Sequence, residues 1–118
     1  MKILHSRKKK RFSLLENGNE IGYLTYEYPD DAARERNVNL LYLYVKPFYR
    51  RKGFATKLLK YALKIFKYVT WISFWTGKEA EIDKSYPLYR KVGFKQIAYQ
   101  ADYYKEGIGT RLFVKRIS

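Results

Sequence analysis

Cysteine is absent from this chain of 118 residues, and histidine occurs once, at His5. The missing thiols exclude disulfides, thiolate metal sites and cysteine nucleophiles. A single histidine leaves too little material for a histidine-rich metal site or a Ser-His-Asp triad. We therefore expect no metal site and no covalent intermediate on a thiol.

Long apolar runs are also missing, and acidic residues are few. No stretch has the length that a membrane-spanning helix needs, and the lysine-rich start lacks an apolar signal region, so we expect a cytoplasmic protein without membrane contact. The 11 acidic residues are outnumbered by 25 lysines and arginines, and the net charge is +14. This charge predicts attraction to polyanions, which include nucleic acid, a phosphorylated cofactor or an acidic protein surface.

The composition is otherwise that of a folded domain. Hydrophobic residues make up 47% of the chain and aromatic residues 19%, which argues against disorder. The length suits one hydrophobic core, so we expect a single domain over residues 1–118.

The most informative stretch joins a predicted strand at residues 39–45 to a predicted helix. On the strand, Leu41, Leu43 and Val45 alternate with Leu40, Tyr42 and Tyr44, and apolar residues on both faces are typical of a central strand. After a loop at residues 46–53, apolar residues recur at helical spacing from Phe54 to Phe66. Four lysines form the opposite, solvated side of this helix: Lys57, Lys60, Lys64 and Lys67.

Three consecutive cations, Arg50, Arg51 and Lys52, stand just before this helix. A helix N-terminus already carries partial positive charge and free N–H groups, so cations are unfavourable there unless an anion binds. Gly53 lets the backbone approach such an anion closely, and the small Ala55 keeps the turn open. The stretch predicts a phosphate-binding loop, with a solubilising basic turn as the alternative.

These residues resemble the signature of the GNAT superfamily of N-acetyltransferases. Arg50-x-x-Gly53-x-Ala55, preceded by Val45-x-Pro47, is similar to Q/R-x-x-G-x-G/A, and residues 88–94 are similar to L/F-Y-x-x-x-G-F. The motifs cover residues 38–98, and the flanks agree in element order. The resemblance implies an α/β (α+β) fold with a mixed central sheet of about seven strands, one long cofactor-binding helix and one shorter helix.

The resemblance also implies that acetyl-CoA is the co-substrate. Backbone N–H groups from Arg51 to Ala55 would hold its pyrophosphate with the Thr56 hydroxyl, and the backbone of residues 43–45 would pair with its pantetheine arm. The residues expected to bind it are Leu43, Tyr44, Val45, Arg50, Arg51, Lys52, Gly53, Phe54, Ala55 and Thr56. Tyr89 would protonate the leaving thiolate, and the alternative for Tyr89 is a packing role.

The general base is the least defined part of the expected site. Where many relatives carry a Glu on the central strand, this chain has Asn39 and Leu40, and Ile82-Asp83-Lys84-Ser85 replaces an asparagine near the last helix. The candidate carboxylates are Glu27, Glu35, Glu79, Glu81 and Asp83. A chain of waters or an acceptor that enters already neutral remains an alternative.

The remaining elements are predicted from local signals. Strands at residues 2–5, 12–16 and 20–28 include a hairpin turn at Asn17-Gly18, and one helical turn is expected at residues 31–36. A strand at 68–76 is predicted to pair in parallel with the central strand. Residues 77–82 are expected to be a loop, followed by a short helix that Asp83 or Ser85 caps and Gly93 ends. Strands at 94–99 and 110–117 close the sheet around a polar loop at 100–109.

One departure from the family affects the acceptor. Residues 6–11 stand where the family usually places two helices that help to form the acceptor wall, so the wall would be open or supplied by a partner in a homodimer. The acceptor is expected to be a small amine, a protein lysine or an aminoacyl-tRNA amine, and the charge favours an acidic or nucleic-acid-associated macromolecule. The alternatives are a non-catalytic GNAT-like module that binds nucleic acid or an acidic protein, and an unrelated nucleic-acid-binding domain with exposed Trp75, Tyr103 and Tyr104.

Overall fold

One mixed sheet of seven strands organises the computed structural model, which describes residues 1–30 and 36–118. The strands are β1 Lys2–Ser6, β2 Arg11–Glu16, β3 Asn19–Glu27, β4 Asn37–Val45, β5 Trp71–Trp75, β6 Lys95–Lys105 and β7 Ile108–Arg116. The helices are α1 Phe54–Ile65, α2 Lys78–Asp83 and α3 Pro87–Lys91, with a 3-10 turn at Pro47–Tyr49. The predicted α/β class is confirmed. The helical turn expected at residues 31–36 falls mainly on positions outside the described residues.

The strand order is β1-β2-β3-β4-β5-β7-β6, and β4 is therefore central, as predicted. Only β4 and β5 pair in parallel among the described strands, and the crossover between them is α1. The hairpin turn at Asn17 and Gly18 is also confirmed, with φ of 51° and 81° at the two residues. A tight turn at residues 7–10 joins β1 to β2, so no helix stands between these two strands.

The core lies between the sheet and the helices. Leu58, Leu59 and Ala62 of α1 are buried, while the lysines on the opposite side of this helix are exposed. Phe66, which follows α1, contacts the rings of Phe12 and Tyr26 edge-on. The apolar stripe of α1 therefore covers β2, β3 and β4, as its helical spacing predicts.

A β-bulge interrupts β4 at Leu41. Thr25 pairs with Tyr42, whereas the next residue, Tyr26, pairs with Leu40, so Leu41 is an extra residue in β4. The prediction that Leu40 shares a face with Tyr42 is therefore wrong. Leu40 pairs with Tyr26 and Leu43 pairs with Leu24, so the inserted residue places Leu40 and Leu43 on the same face. Leu41 is 42% exposed and Tyr42 69% exposed.

β4 and β5 separate soon after they meet. Their pairing consists of three residue pairs and ends at Asn39 and Ser73, whose side chains share a hydrogen bond of 2.9 Å. Beyond this point the two strands diverge and leave a gap in the middle of the sheet. The bulge in β4 and this gap determine the shape of the site described below.

Two predicted loops are wrong. Residues 77–82 lie largely in α2, which ends at Lys84 with φ of 55°, and α3 then begins at Pro87 rather than at a cap on Asp83 or Ser85. An ion pair between Glu81 of α2 and Arg111 of β7 holds α2 against the sheet, and such a tertiary contact leaves no local sequence signal. Gly93, with φ of 99°, ends α3 as predicted.

Residues 100–109 are mostly strand rather than loop. β6 extends to Lys105 and β7 begins at Ile108, with a turn at Glu106 and Gly107. β6 has several residues between the pairs Gln100–Thr110 and Lys105–Ile108, so it bulges out as an edge strand with exposed polar side chains. This bulge removes the apolar alternation by which a strand is predicted. β5 begins at Trp71, later than the predicted start at residue 68.

No helix of the described residues is long and apolar enough to cross a bilayer.

Candidate functional site

The loop before α1 presents an uncapped helix N-terminus. Gly53 is the N-cap residue of α1, with φ of 83°, and it makes no side-chain cap because it has no side chain. The first turn of α1 contains no acidic residue. A Cβ placed on Gly53 would meet no atom within 4 Å, so the backbone is open to a ligand at this point. Free N–H groups at such a terminus favour an anion.

The three loop cations have different surroundings. Arg50 Nε donates a hydrogen bond of 2.8 Å to the backbone O of Val45, which ties the loop to the end of β4. Lys52 Nζ lies 4.8 Å from the ring centre of Phe48, and Lys52 lines neither of the two cavities described below. Arg51 has a positive φ of 62° and lines the larger cavity with Arg50.

Two cavities meet beside this loop. The larger, of about 700 Å³, lies between the end of β4, the start of α1 and the segment from Asp83 to Lys91. Nine of the ten residues expected to bind a cofactor line it: Leu43, Tyr44, Val45, Arg50, Arg51, Gly53, Phe54, Ala55 and Thr56. Lys84 and Lys91, which the motif did not indicate, add two further cations to its opposite wall.

The smaller cavity, of about 370 Å³, occupies the gap where β4 leaves β5. Tyr23 and residues 40–44 form one side, and Phe74, Trp75 and the start of α2 form the other. Five residues line both cavities: Leu43, Tyr44, Glu79, Ala80 and Tyr89. Two molecules that occupied the two cavities would therefore meet at this junction.

Tyr89 is the most buried titratable group at the junction, with 8% of its surface exposed. Its ring lies 4.0 Å from that of Phe74 and 5.6 Å from that of Phe113, between centroids. Burial raises the pKa of the Tyr89 phenol, because the charged phenolate would be poorly solvated. The phenol is therefore neutral over the whole physiological pH range and is a proton or hydrogen-bond donor.

The candidate carboxylates divide according to their surroundings. Glu79 lines both cavities, and Asp83 lines the larger one. Glu81 is engaged instead, because its two oxygens accept hydrogen bonds of 3.0 and 3.2 Å from Arg111 Nε. Glu27 lies opposite Asn39 in the sheet and lines neither cavity, and Glu35 falls outside the described residues.

Within residues 1–30 and 36–118, no group of three or more His, Asp or Glu side chains is arranged to hold a metal ion. Among the residues that line the smaller cavity alone, Tyr23 and Tyr42 were not predicted as site residues, and Trp75 was named only for an alternative nucleic-acid surface. No motif marks them, since they come together only where β4 and β5 separate.

Comparison with known proteins gives one family. The family model described as "Acetyltransferase (GNAT) domain" matches residues 8–96. No curated protein sequence matches the chain.

Solved structures agree with this fold. The ribosomal-protein-S18-alanine N-acetyltransferase from Escherichia coli is similar with a TM-score of 0.79 at 19% identity, over 97% of this chain and 72% of that one. Ard1 from Thermoplasma volcanium gives 0.78 at 15% identity, over 95% and 73%. A phosphinothricin acetyltransferase from Sinorhizobium meliloti, solved with AcCoA, gives 0.76 at 18% identity, over 92% and 60%.

Proposed function

The chain belongs to the GNAT family of acetyltransferases, and from this we propose that it is an acetyl-CoA-dependent N-acetyltransferase that acts on a primary amine. The observation that carries the proposal is the junction of the two cavities beside Tyr89, in the gap between β4 and β5. All seven strands belong to one sheet, and we treat residues 1–118 as one catalytic domain.

The larger cavity fits acetyl-CoA in shape and charge. Its open glycine N-cap and uncapped first turn suit a pyrophosphate, and Arg51, Lys84 and Lys91 supply positive charge around it. Beyond Asn39, the edge of β4 that faces the gap pairs with no strand of the described residues. Backbone groups of residues 43–45 are therefore available to an extended pantetheine arm, which would lead toward the junction.

Acetyl-CoA supplies an activated acetyl thioester. The residues of the chain position it, keep water out and provide protons. Tyr89 lies at the junction as a neutral phenol and is our candidate for the group that protonates the leaving thiolate. The chain has no cysteine to carry the acetyl group, so we infer direct attack by the amine.

The surface where the acceptor would bind has room for a large molecule. The turn at residues 7–10 leaves the sheet face beside Tyr42 uncovered, and the net charge of +14 favours an acidic or nucleic-acid-associated macromolecule that presents the amine. A homodimer that covers this face is part of the same proposal, as is a cytoplasmic location.

Thermal unfolding with and without acetyl-CoA tests the proposal. Ligand at about a hundred times its dissociation constant should stabilise the wild type by roughly 2.7 kcal/mol. Gly53→Glu should remove this shift, because it places a carboxylate where the pyrophosphate would bind. Gly18→Glu is the matched control, since Gly18 has φ of 81° and equally open space but lies in the β2–β3 turn.

The wild type and Gly18→Glu should respond alike to acetyl-CoA. Absence of a shift in the wild type would overturn the cofactor assignment. An equal shift in Gly53→Glu would mean that acetyl-CoA binds elsewhere.

A further inference from the structure

Two exposed aromatic residues, Tyr42 and Trp75, line the smaller cavity. Tyr42 lies on the same face as Asn39, because their partners on β3, Thr25 and Glu27, are two residues apart. Trp75 lies on this face too, because it is two residues beyond Ser73, the partner of Asn39. Both side chains are exposed and stand on opposite sides of the gap. They form an aromatic entrance to the junction.

The inner walls of this cavity are apolar. Leu24, Leu40, Leu59 and Phe74 are buried residues of its lining, and Leu43 is half-buried. The volume is about 370 Å³, and these apolar walls favour an apolar chain over a polyol, whose hydroxyl groups would lose hydrogen bonds to water. Two other tyrosines of the lining already have cations of the protein beside their rings. The Arg11 guanidinium lies 3.9 Å from the ring centre of Tyr23, and the Arg50 guanidinium lies 5.5 Å from the ring centre of Tyr44.

Charge is concentrated at one point of the cavity. Glu79 is the one carboxylate among the described residues that lines this cavity, and it also lines the larger cavity. Lys78, the preceding residue, is exposed and is the neighbouring cation on the rim. An ammonium group that entered between Tyr42 and Trp75 would therefore find two aromatic rings and a carboxylate in one cavity.

We propose that the acceptor is a primary amine at the end of an apolar alkyl or aromatic chain, and that Glu79 binds its ammonium group and removes a proton. This inference rests on the proposed acetyltransferase function. Glu79, in the first turn of α2, would thus take the place of the carboxylate that β4 lacks.

The proton balance assigns a role to each group. The ammonium gives one proton to Glu79, and the neutral nitrogen bonds to the acyl carbon as the C–S bond breaks. The Tyr89 hydroxyl donates its proton to the sulfur of the leaving thiolate. It then takes up the second proton that the nitrogen loses, so the phenol is restored. The products are the N-substituted acetamide and the coenzyme A thiol, and Glu79 returns its proton to water.

A panel of amines tests the substrate class by release of the thiol. Hexylamine, phenethylamine and Nα-acetyl-lysine amide should each exceed glucosamine in kcat/KM by at least about tenfold, because only their chains match the apolar walls. Comparison of the lysine derivative with the two free amines distinguishes a lysine side chain from a small amine as the source. Equal kcat/KM for glucosamine and hexylamine would overturn the inference.

Two tryptophans of the same strand test the entrance. Trp75→Ala should raise KM for phenethylamine about tenfold, through loss of a ring contact. Trp71→Ala is the matched control, on the same face of β5 but at its other end, where Arg116 packs on it at 5.5 Å. Equal effects of the two substitutions would refute the proposed entrance.

Glu79→Gln should lower kcat about a hundredfold at neutral pH. The defect should shrink as the pH approaches the amine's own pKa of about 10, since the amine then enters neutral. Glu106→Gln, at an exposed position of the β6–β7 turn that lines neither cavity, should retain the kcat of the wild type. A Glu79→Gln defect that is independent of pH would exclude the role as base.

A binding measurement separates this inference from the proposed function. In Trp71→Phe, Trp75 is the only tryptophan left, so its fluorescence reports on the entrance alone. Phenethylamine should change this fluorescence, with or without coenzyme A, even if no acetyl transfer occurs. An unchanged signal in both conditions would refute the amine site, whatever acetyl-CoA does.

Discussion

At the scale of single residues, Tyr89 combines a packing position with a position at the junction. Its ring is enclosed by Phe74, Phe94 and Phe113, while its side chain also lines both cavities. Burial raises the pKa of the phenol, so proton transfer to a thiolate is unfavourable unless the two groups are held together. Position must therefore contribute more to such a transfer than acidity does.

Tyr89→Phe distinguishes the two roles. If the hydroxyl donates the proton, kcat should fall about a hundredfold while stabilisation by acetyl-CoA stays as in the wild type. The aromatic packing is conserved by the substitution, so the thermal midpoint without ligand should change little. Steady-state thiol release and thermal unfolding of one preparation measure both quantities.

Tyr86→Phe is the control, because Tyr86 precedes α3 and packs on Arg111 at 4.1 Å without lining either cavity. Full activity of Tyr89→Phe would assign the residue to packing alone. A large drop in both variants would instead indicate a general disturbance around α3.

The contacts of the three loop cations could not be predicted from the sequence. The motif predicts where Arg50, Arg51 and Lys52 stand, but it cannot tell which of them turns back onto the protein. Arg50 is partly engaged by the carbonyl of Val45, and Lys52 lies over Phe48. Long cationic side chains have several solvated rotamers, and tertiary contacts of this kind decide between them.

At the scale of elements, local signals predicted α1, the Asn17-Gly18 hairpin and the central position of β4. These features follow from periodicity and turn chemistry within a few residues. The bulge at Leu41 and the divergence of β4 from β5 were not predictable, because both depend on pairing between distant strands. The motif therefore located the larger cavity, whereas the smaller cavity required the structure.

Helix α2 was missed for a related reason. It spans only residues 78–83, a length that is marginal in isolation, and it depends on the pair between Glu81 and Arg111. The side chain of Glu81 is 5% exposed and that of Arg111 is 23% exposed. Because α2 carries Glu79 and Ala80, this pair also holds part of the junction in place.

Arg111→Met should destabilise the protein by about 2–4 kcal/mol, since it leaves a buried carboxylate unpaired. Arg11→Met is the matched comparison, because the side chains of Arg11 and Glu20 are 32% and 34% exposed, and breaking an exposed pair costs about 1 kcal/mol or less. Urea unfolding of the two variants measures the difference.

Replacing both partners, as Glu81→Leu with Arg111→Met, should recover part of the loss, because no buried charge then remains. Equal destabilisation by Arg111→Met and Arg11→Met would contradict the assignment of α2 to a buried ion pair.

At the scale of the whole molecule, tyrosine ionisation and net charge both affect the free energy of unfolding at high pH. Partial burial and the Tyr28 hydroxyl raise the pKa of Tyr68 to about 12, and burial also raises that of Tyr89. In the unfolded chain these phenols ionise near about pH 10. The folded state holds their protons more tightly, so their contribution to stability is complete below that pH and is lost as the pH rises toward the folded pKa values.

The free energy of unfolding should therefore fall above about pH 10, chiefly through Tyr89, because Tyr68 is 52% exposed and solvent weakens its contribution. Lysine deprotonation acts in the opposite direction, because it relieves the repulsion that accompanies a net charge of +14. The free energy of unfolding of the wild type, plotted against pH, contains both effects. The difference between the curves of the wild type and of Tyr89→Phe isolates the contribution of the Tyr89 phenol. Urea unfolding between pH 8 and pH 11.5, with the exposed Tyr103→Phe as control, measures this difference. Tyr89→Phe should lose less stability than the wild type or Tyr103→Phe over this range, and parallel curves for all three would show that burial does not hold the Tyr89 proton.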